Sequence, residues 1–161
     1  MRRSFFISLV CLFTFLSCEN LPFYTRFQPV NPEGWQRGDT LFFVLPEVVS
    51  DTVVEVELYG RITDAYPDKD LHLNVELYAD SSFKKSFSPV LMFFDDNGNM
   101  LKSSVNYGES KCHIGKMPLK KGVKYELRVM HNMYKPIVTG ATDIGVCIGL
   151  SERIRKKIVS D

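Results

Sequence analysis

The chain has 161 residues, of which 45% are hydrophobic, 12% aromatic and 24% charged, with a formal net charge of +1. That length and apolar fraction exclude a disordered segment and a disulfide-stapled mini-protein, and fit one domain with its own core. Lys+Arg 20 against Asp+Glu 19 leaves none of the basic excess that a phosphate-binding surface needs to release counterions, so no nucleic-acid partner is expected.

In chain order, Met1-Arg2-Arg3 is a basic start, followed by an apolar run from Phe5 to Leu16 that is interrupted only by Ser8 and Thr14. This is the pattern of a secretory signal peptide, and the run falls short of the roughly 20 apolar residues that cross a bilayer as a helix. Phe15-Leu16-Ser17-Cys18 resembles a bacterial lipobox. The chemistry needs a thiol to carry a diacylglyceryl thioether and a small neighbour to admit the peptidase, and Ser17 meets the second need. The sequence therefore predicts a lipoprotein signal peptide over 1–17 and Cys18 as the lipid attachment residue, against the plainer reading of a signal peptide cut beside a cysteine. Several acyl chains, palmitate among them, hold a protein on a membrane where a single chain is marginal.

Removal of 1–17 takes away two arginines and no acid, leaving 18 basic against 19 acidic residues and a formal charge of −1. Cys11 leaves as well, so Cys112 and Cys147 remain as thiols. In an oxidising envelope they pair, or they serve as small core side chains; both readings stay open.

Glu19 to Gly38 contains Pro22, Pro29, Pro32 and Gly34 with little periodicity. Residues 18–38 read as the lipidated N-terminus and a short tether, whose later half packs its aromatic side chains, Trp35 among them, against the domain edge. From 39 to 161 the dominant period is two. Val54, Val56, Leu58, Gly60 and Ile62 alternate with Glu55, Glu57, Tyr59 and Arg61, and Leu71, Leu73, Val75 and Leu77 alternate with His72, Asn74, Glu76 and Tyr78. Such stretches are half-buried strands. Further strands are expected at Leu41–Leu45, Pro89–Phe94, Lys111–Ile114, Val123–Val129 and Ile144–Leu150. Asp96-Asn97-Gly98-Asn99 supplies a tight hairpin, and Lys120-Lys121-Gly122 a second turn. The expected fold is all-β, an antiparallel sandwich of about seven to eight strands, with Ser151–Ile158 as one short helix.

The common catalytic signatures are absent, and neither enzymatic activity nor a cofactor is expected. Asp95, Asn97 and Asn99 alternate as the first ligands of a calcium loop do, but Met100 and Asn106 stand where its glycine and bidentate glutamate belong, so a plain hairpin explains them better. His72, His113 and His131 have no second ligand nearby in sequence, and no metal site is assigned. Arg153, Arg155, Lys156 and Lys157 form a basic stretch suited to solvent or anionic lipid. Tyr59, Tyr66 and Tyr78 are candidates for an outward aromatic platform that stacks on glycan rings or docks a partner, the plainer reading being a covered sheet face.

Several patches resemble the GldH lipoprotein family of gliding motility: Gly34-Trp35 with Gly38 to Phe43, Arg61-Ile62-Thr63-Asp64-Ala65-Tyr66-Pro67, Phe94 to Gly98, Met133, and Ile137 to Val146. They occur in the family's order along nearly the whole chain. Pro67-Asp68-Lys69-Asp70 and Ala141 depart from its pattern and mark a divergent member. The resemblance implies a non-enzymatic lipoprotein of the cell outer membrane, with a role in motility or envelope protein assembly and with other envelope proteins as partners. A glycan-binding or adhesive surface lipoprotein is the alternative, and an envelope hydrolase a third reading. On a polar strand face, Arg61 is expected to pair with an acid such as Asp143.

Overall fold

The computed structural model describes residues 23–31, 33–103 and 107–150. Eleven strands occupy them: β1 (Tyr24–Pro29), β2 (Trp35–Gln36), β3 (Leu41–Val44), β4 (Thr52–Ile62), β5 (Asp70–Ala79), β6 (Ser82–Phe87), β7 (Val90–Met92), β8 (Gly108–Leu119), β9 (Tyr125–His131), β10 (Ile137–Val138) and β11 (Ala141–Leu150). The strands build an antiparallel sandwich. One sheet has the order β1-β11-β4-β8 and the other β3-β9-β5-β6, with β7 also paired to β5, while β2 and β10 form a small ribbon.

The period of two has its expected cause. Val54, Val56, Leu58 and Ile62 of β4 face Leu71, Leu73, Val75 and Leu77 of β5 across one core, completed by Phe43, Leu127, Val129, Ile144, Val146 and Ile148. Each such side chain contributes about 1.5–3 kcal/mol on burial. A slip of one residue would turn the whole set to water, so the register is strongly specified.

All seven strands expected from sequence are present. Four more are added, two of them for reasons the pattern hides. β6 is an edge strand with no buried residue, so it shows no alternation, and its exposed Lys84 and Lys85 discourage edge-to-edge pairing. Strand pairing also begins at Tyr24, inside the stretch read as tether. β1 runs along β11 from Tyr24↔Ile148 to Pro29↔Asp143, and its proline is tolerated because it ends an edge strand. The expected helix at Ser151–Ile158 lies outside the described residues.

The pairings give the sandwich two distinct ends. β4 runs from Thr52, opposite Leu119 and near Leu150, to Ile62, opposite Gly108 and Ala141. At about 3.3 Å per residue its eleven residues separate the ends by roughly 35 Å. The end with Phe23, Leu150 and the loops 45–51, 80–81 and 120–124 is called proximal here; the end with loops 30–40, 63–69, 93–103 and 132–140 is called distal.

Candidate functional site at the motif-bearing end

The patches that carry the family resemblance are scattered in sequence but gather at the distal end. β2 pairs with β10 through Trp35↔Val138, which brings the Gly34-Trp35 patch onto the segment after Met133. Trp35 is 1% exposed. Its indole Nε1 donates to the Asp39 carbonyl at 2.9 Å, and its ring meets His131 edge-on at 5.4 Å. Beside it, Arg37 Nη2 donates to the carbonyls of Met133 (2.6 Å), Tyr134 and Lys135. One guanidinium thus gathers three successive acceptors that the 132–136 loop does not pair internally. Lys135 Nζ closes the loop from the other side on Asp68 at 2.7 Å.

Tyr66 supplies the next tie. It is buried, its ring packs on Phe93 at 5.5 Å, and its hydroxyl donates to the Asp70 carbonyl. Burial, with Asp68 and Asp70 nearby, pushes its phenol pKa well up. Gly140 lies against its backbone: a Cβ there would sit 2.5 Å from Tyr66 N, and the φ of +80° favours glycine. Thr63 N–H donates to the Gly140 carbonyl at 2.8 Å. The Tyr-Pro patch and the glycine patch are therefore two halves of one contact.

On the outer face of the β1-β11-β4-β8 sheet, Arg61 of β4 sits between Glu109 of β8 (3.3 Å) and Asp143 of β11 (3.5 Å). The Asp143 contact is the pairing expected from sequence. Its guanidinium also stacks on Phe27 and Tyr107, at 4.3 and 4.9 Å from the ring centroids. Gly145 makes the stacking possible, because any side chain there would occupy the ring of Phe27. The Lys102 hydrogen bond, with help from Arg61, holds Glu109 below the usual carboxylate range. These charges satisfy one another, an arrangement that fixes strands.

The three tyrosines proposed as one platform are not brought together. Tyr59 is on the outer face of the β4 sheet, where it donates to Glu57 Oε2 at 3.0 Å; burial, then Glu57, push its pKa up to about 12. Tyr78 is on the outer face of the opposite sheet, with Arg128 stacked 3.8 Å from its centroid. Tyr66 is 4% exposed and offers no surface. The chain crosses from one sheet to the other between Tyr59 and Tyr78, and Tyr66 plugs the end of the sandwich in between. Half-buried Tyr78 does lie among exposed rings, with Phe83 at 5.9 Å and with Phe42, whose ring lies 5.5 Å from the same Arg128.

Cys18 lies outside the described residues. Cys112 and Cys147 are both free thiols. They lie opposite Leu58 and Glu57, on the two strands that flank β4, so about 9–10 Å separates their backbones, beyond the roughly 7 Å that a disulfide spans. Burial pushes the Cys112 thiol up to about 11. The Asp95 carboxylate accepts from the backbone N–H of Asn97 and Asn99, both at 2.8 Å, so it caps its own hairpin. The three histidines fall on separate strands. His131 is 3% exposed and accepts from Met133 N–H at 3.4 Å, whereas His72 sits outside near Asp70. No group of three or more metal-ligating side chains occurs among the described residues.

Two residues at this end escaped the sequence reading. Arg37 carries no motif signal, since its partners are carbonyls about a hundred residues away. Tyr134, 88% exposed on the clamped loop, follows a strand end in an unpatterned stretch; only its place beside Met133 pointed to it.

The GldH lipoprotein family matches the chain over residues 22–148. No curated protein matches the sequence. Among solved structures, the chain is similar to part of a family GH115 4-O-methyl-alpha-glucuronidase with specificity for decorated arabinogalactans, at 14% identity and a TM-score of 0.50, covering 84% of this chain and 18% of that one. It is also similar to the C-terminal domain of EclA, a sugar-binding protein (13% identity, 86% of each chain, TM-score 0.38). A CocE/NonD family hydrolase from Staphylococcus aureus matches at 9% identity over 82% of this chain and 32% of that one, with a TM-score of 0.40. The chain spans less than a fifth of the glucuronidase, and that likeness bears on the fold alone. The family match extends over most of the chain, and the chain belongs to the GldH lipoprotein family, associated with gliding motility.

Proposed function

We propose that this member of the GldH lipoprotein family is a non-enzymatic component of the outer membrane, held by acylated Cys18, that engages other envelope proteins through its distal end. The observation that carries this reading is Tyr134, exposed on a loop whose carbonyls are gathered by Arg37 and whose next residue is ion-paired to Asp68. An aromatic anchor on a pre-ordered loop binds with little further ordering cost. Exposed Leu101 and Ile137 at the same end extend the contact area.

Co-purification of envelope proteins with the full-length lipoprotein tests this. Tyr134→Ala is expected to lower recovery of the bound proteins about tenfold or more, as loss of a central aromatic anchor does; unchanged recovery would refute the docking role. Palmitate incorporation tests the anchor, with Cys18→Ser expected to abolish it and equal labelling contradicting it. A second reading, glycan binding, is favoured by the Phe42, Tyr78 and Phe83 stripe. It requires retention on polysaccharide gels that is lost in Tyr78→Ala.

A further inference from the structure

The proximal end has a different character. Val49 is 88% exposed and Phe23 38%, and both line a mostly apolar cleft of about 310 Å³ with Val48 and Leu150, at which Glu47 is the one charged side chain. A second cleft at this end, of about 620 Å³, is lined by Leu77, Ala79 and Val123 together with Lys84, Lys85 and Lys120. Lys120, Lys121 and Lys124 are exposed. The carboxylates beside them accept from backbone rather than from ammonium groups: Asp51 from Lys121 N–H at 2.8 Å and Asp80 from Lys124 N–H at 3.1 Å. Among the described residues these three ammonium groups enter none of the ion pairs.

We propose that this end lies directly on a bilayer, with Phe23 and Val49 at the boundary between headgroups and acyl chains and Lys120, Lys121 and Lys124 against lipid phosphates. The proposal rests on the reading of Cys18 as the lipid-bearing residue. Cys18 precedes Phe23 by five residues, and five residues reach at most about 18 Å. A lipidated Cys18 therefore keeps Phe23 within that distance of the membrane surface, and the nearest surface of the domain is the proximal end, with its exposed Val49 and the lysines of the 120–124 loop. Exposed apolar side chains with unpaired lysines on the neighbouring 120–124 loop match the interface between headgroup and acyl chain, where apolar area and attraction to phosphate act together. The distal end then stands roughly 35 Å away from the bilayer along β4, free for a protein partner.

The test uses the full lipoprotein, extracted with detergent and reconstituted into vesicles of phosphatidylethanolamine and phosphatidylglycerol containing brominated acyl chains. In a Cys112→Ala, Cys147→Ala background, an environment-sensitive fluorophore is placed at Val49→Cys or, at the distal hairpin, at Asn97→Cys. Strong quenching at 49 with little at 97 is expected, and Lys120→Glu, Lys121→Glu and Lys124→Glu together should cut the quenching at 49 by about half or more. Protein retained on vesicles but equally unquenched at both positions, or quenched more at 97, overturns the orientation while leaving the anchor intact. Protein that is not retained, with no acyl mass on Cys18, overturns the anchor and the orientation with it.

Discussion

At the distal end of the sandwich Arg61, Lys102 and Lys135 each meet a carboxylate and Arg37 gathers three carbonyls, whereas at the proximal end Lys120, Lys121 and Lys124 stand exposed. Both ends are loops closing the same two sheets, so the sheets do not dictate this difference. Charges that are paired and stacked hold long loops in one shape; charges left to solvent stay available to an outside partner. The distal end is thus built to be rigid, and the proximal end has charge to spare for adhesion.

The rigidity of the distal end depends most on Gly140. Gly140→Ala puts a Cβ into the Tyr66 backbone at a φ of +80°, and a loss of about 3 kcal/mol or more in urea unfolding is expected. A loss under about 1 kcal/mol would mean the two patches do not depend on each other. Arg61→Ala comes next. It leaves Asp143 without its cation and Glu109 with Lys102 alone, and it strips the cover from Phe27, for an expected cost of about 2 kcal/mol, only partly recovered by Arg61→Lys because an ammonium does not stack as a planar guanidinium does.

His131 makes the distal end sensitive to pH. Burial, then Arg37, lower its pKa from 6.5, so the unfolded chain takes up a proton before the folded one. The stability this gives is complete above about 6.5 and is lost as pH falls through the folded value. Urea midpoints measured from pH 8 to 5 should fall in the wild type and fall less in His131→Phe; identical slopes would show that His131 is not the sensor. The smallest effect is expected at the proximal end, where Lys121→Ala should change stability by no more than about 0.5 kcal/mol.

Much of this molecule is legible in its residues. Strict alternation in Val54–Ile62 and Leu71–Tyr78 specifies two central strands because one face of each is buried. β6 was hidden because both of its faces are exposed, and β1 because prolines and aromatics in a short edge strand look like a tether. The motif patches marked the right part of the chain, yet their order along it gave no hint that Tyr66 and Gly140 touch, since that contact exists only once β4 and β11 are paired. The three tyrosines lie apart for a related reason: alternation says which face a residue takes within its strand, but not which sheet the strand joins. Tyr134 and Arg37 act through the shape of a loop, which leaves no periodic trace.

Whether the two ends face different surroundings is measured directly in the cell. A photo-activated cross-linking amino acid is placed at position 134 in one strain and at position 49 in another, and the adducts are identified after irradiation. Protein adducts from position 134 and lipid adducts from position 49 are the predicted result. Lipid at 134 with protein at 49, or the same adducts from both, would contradict it.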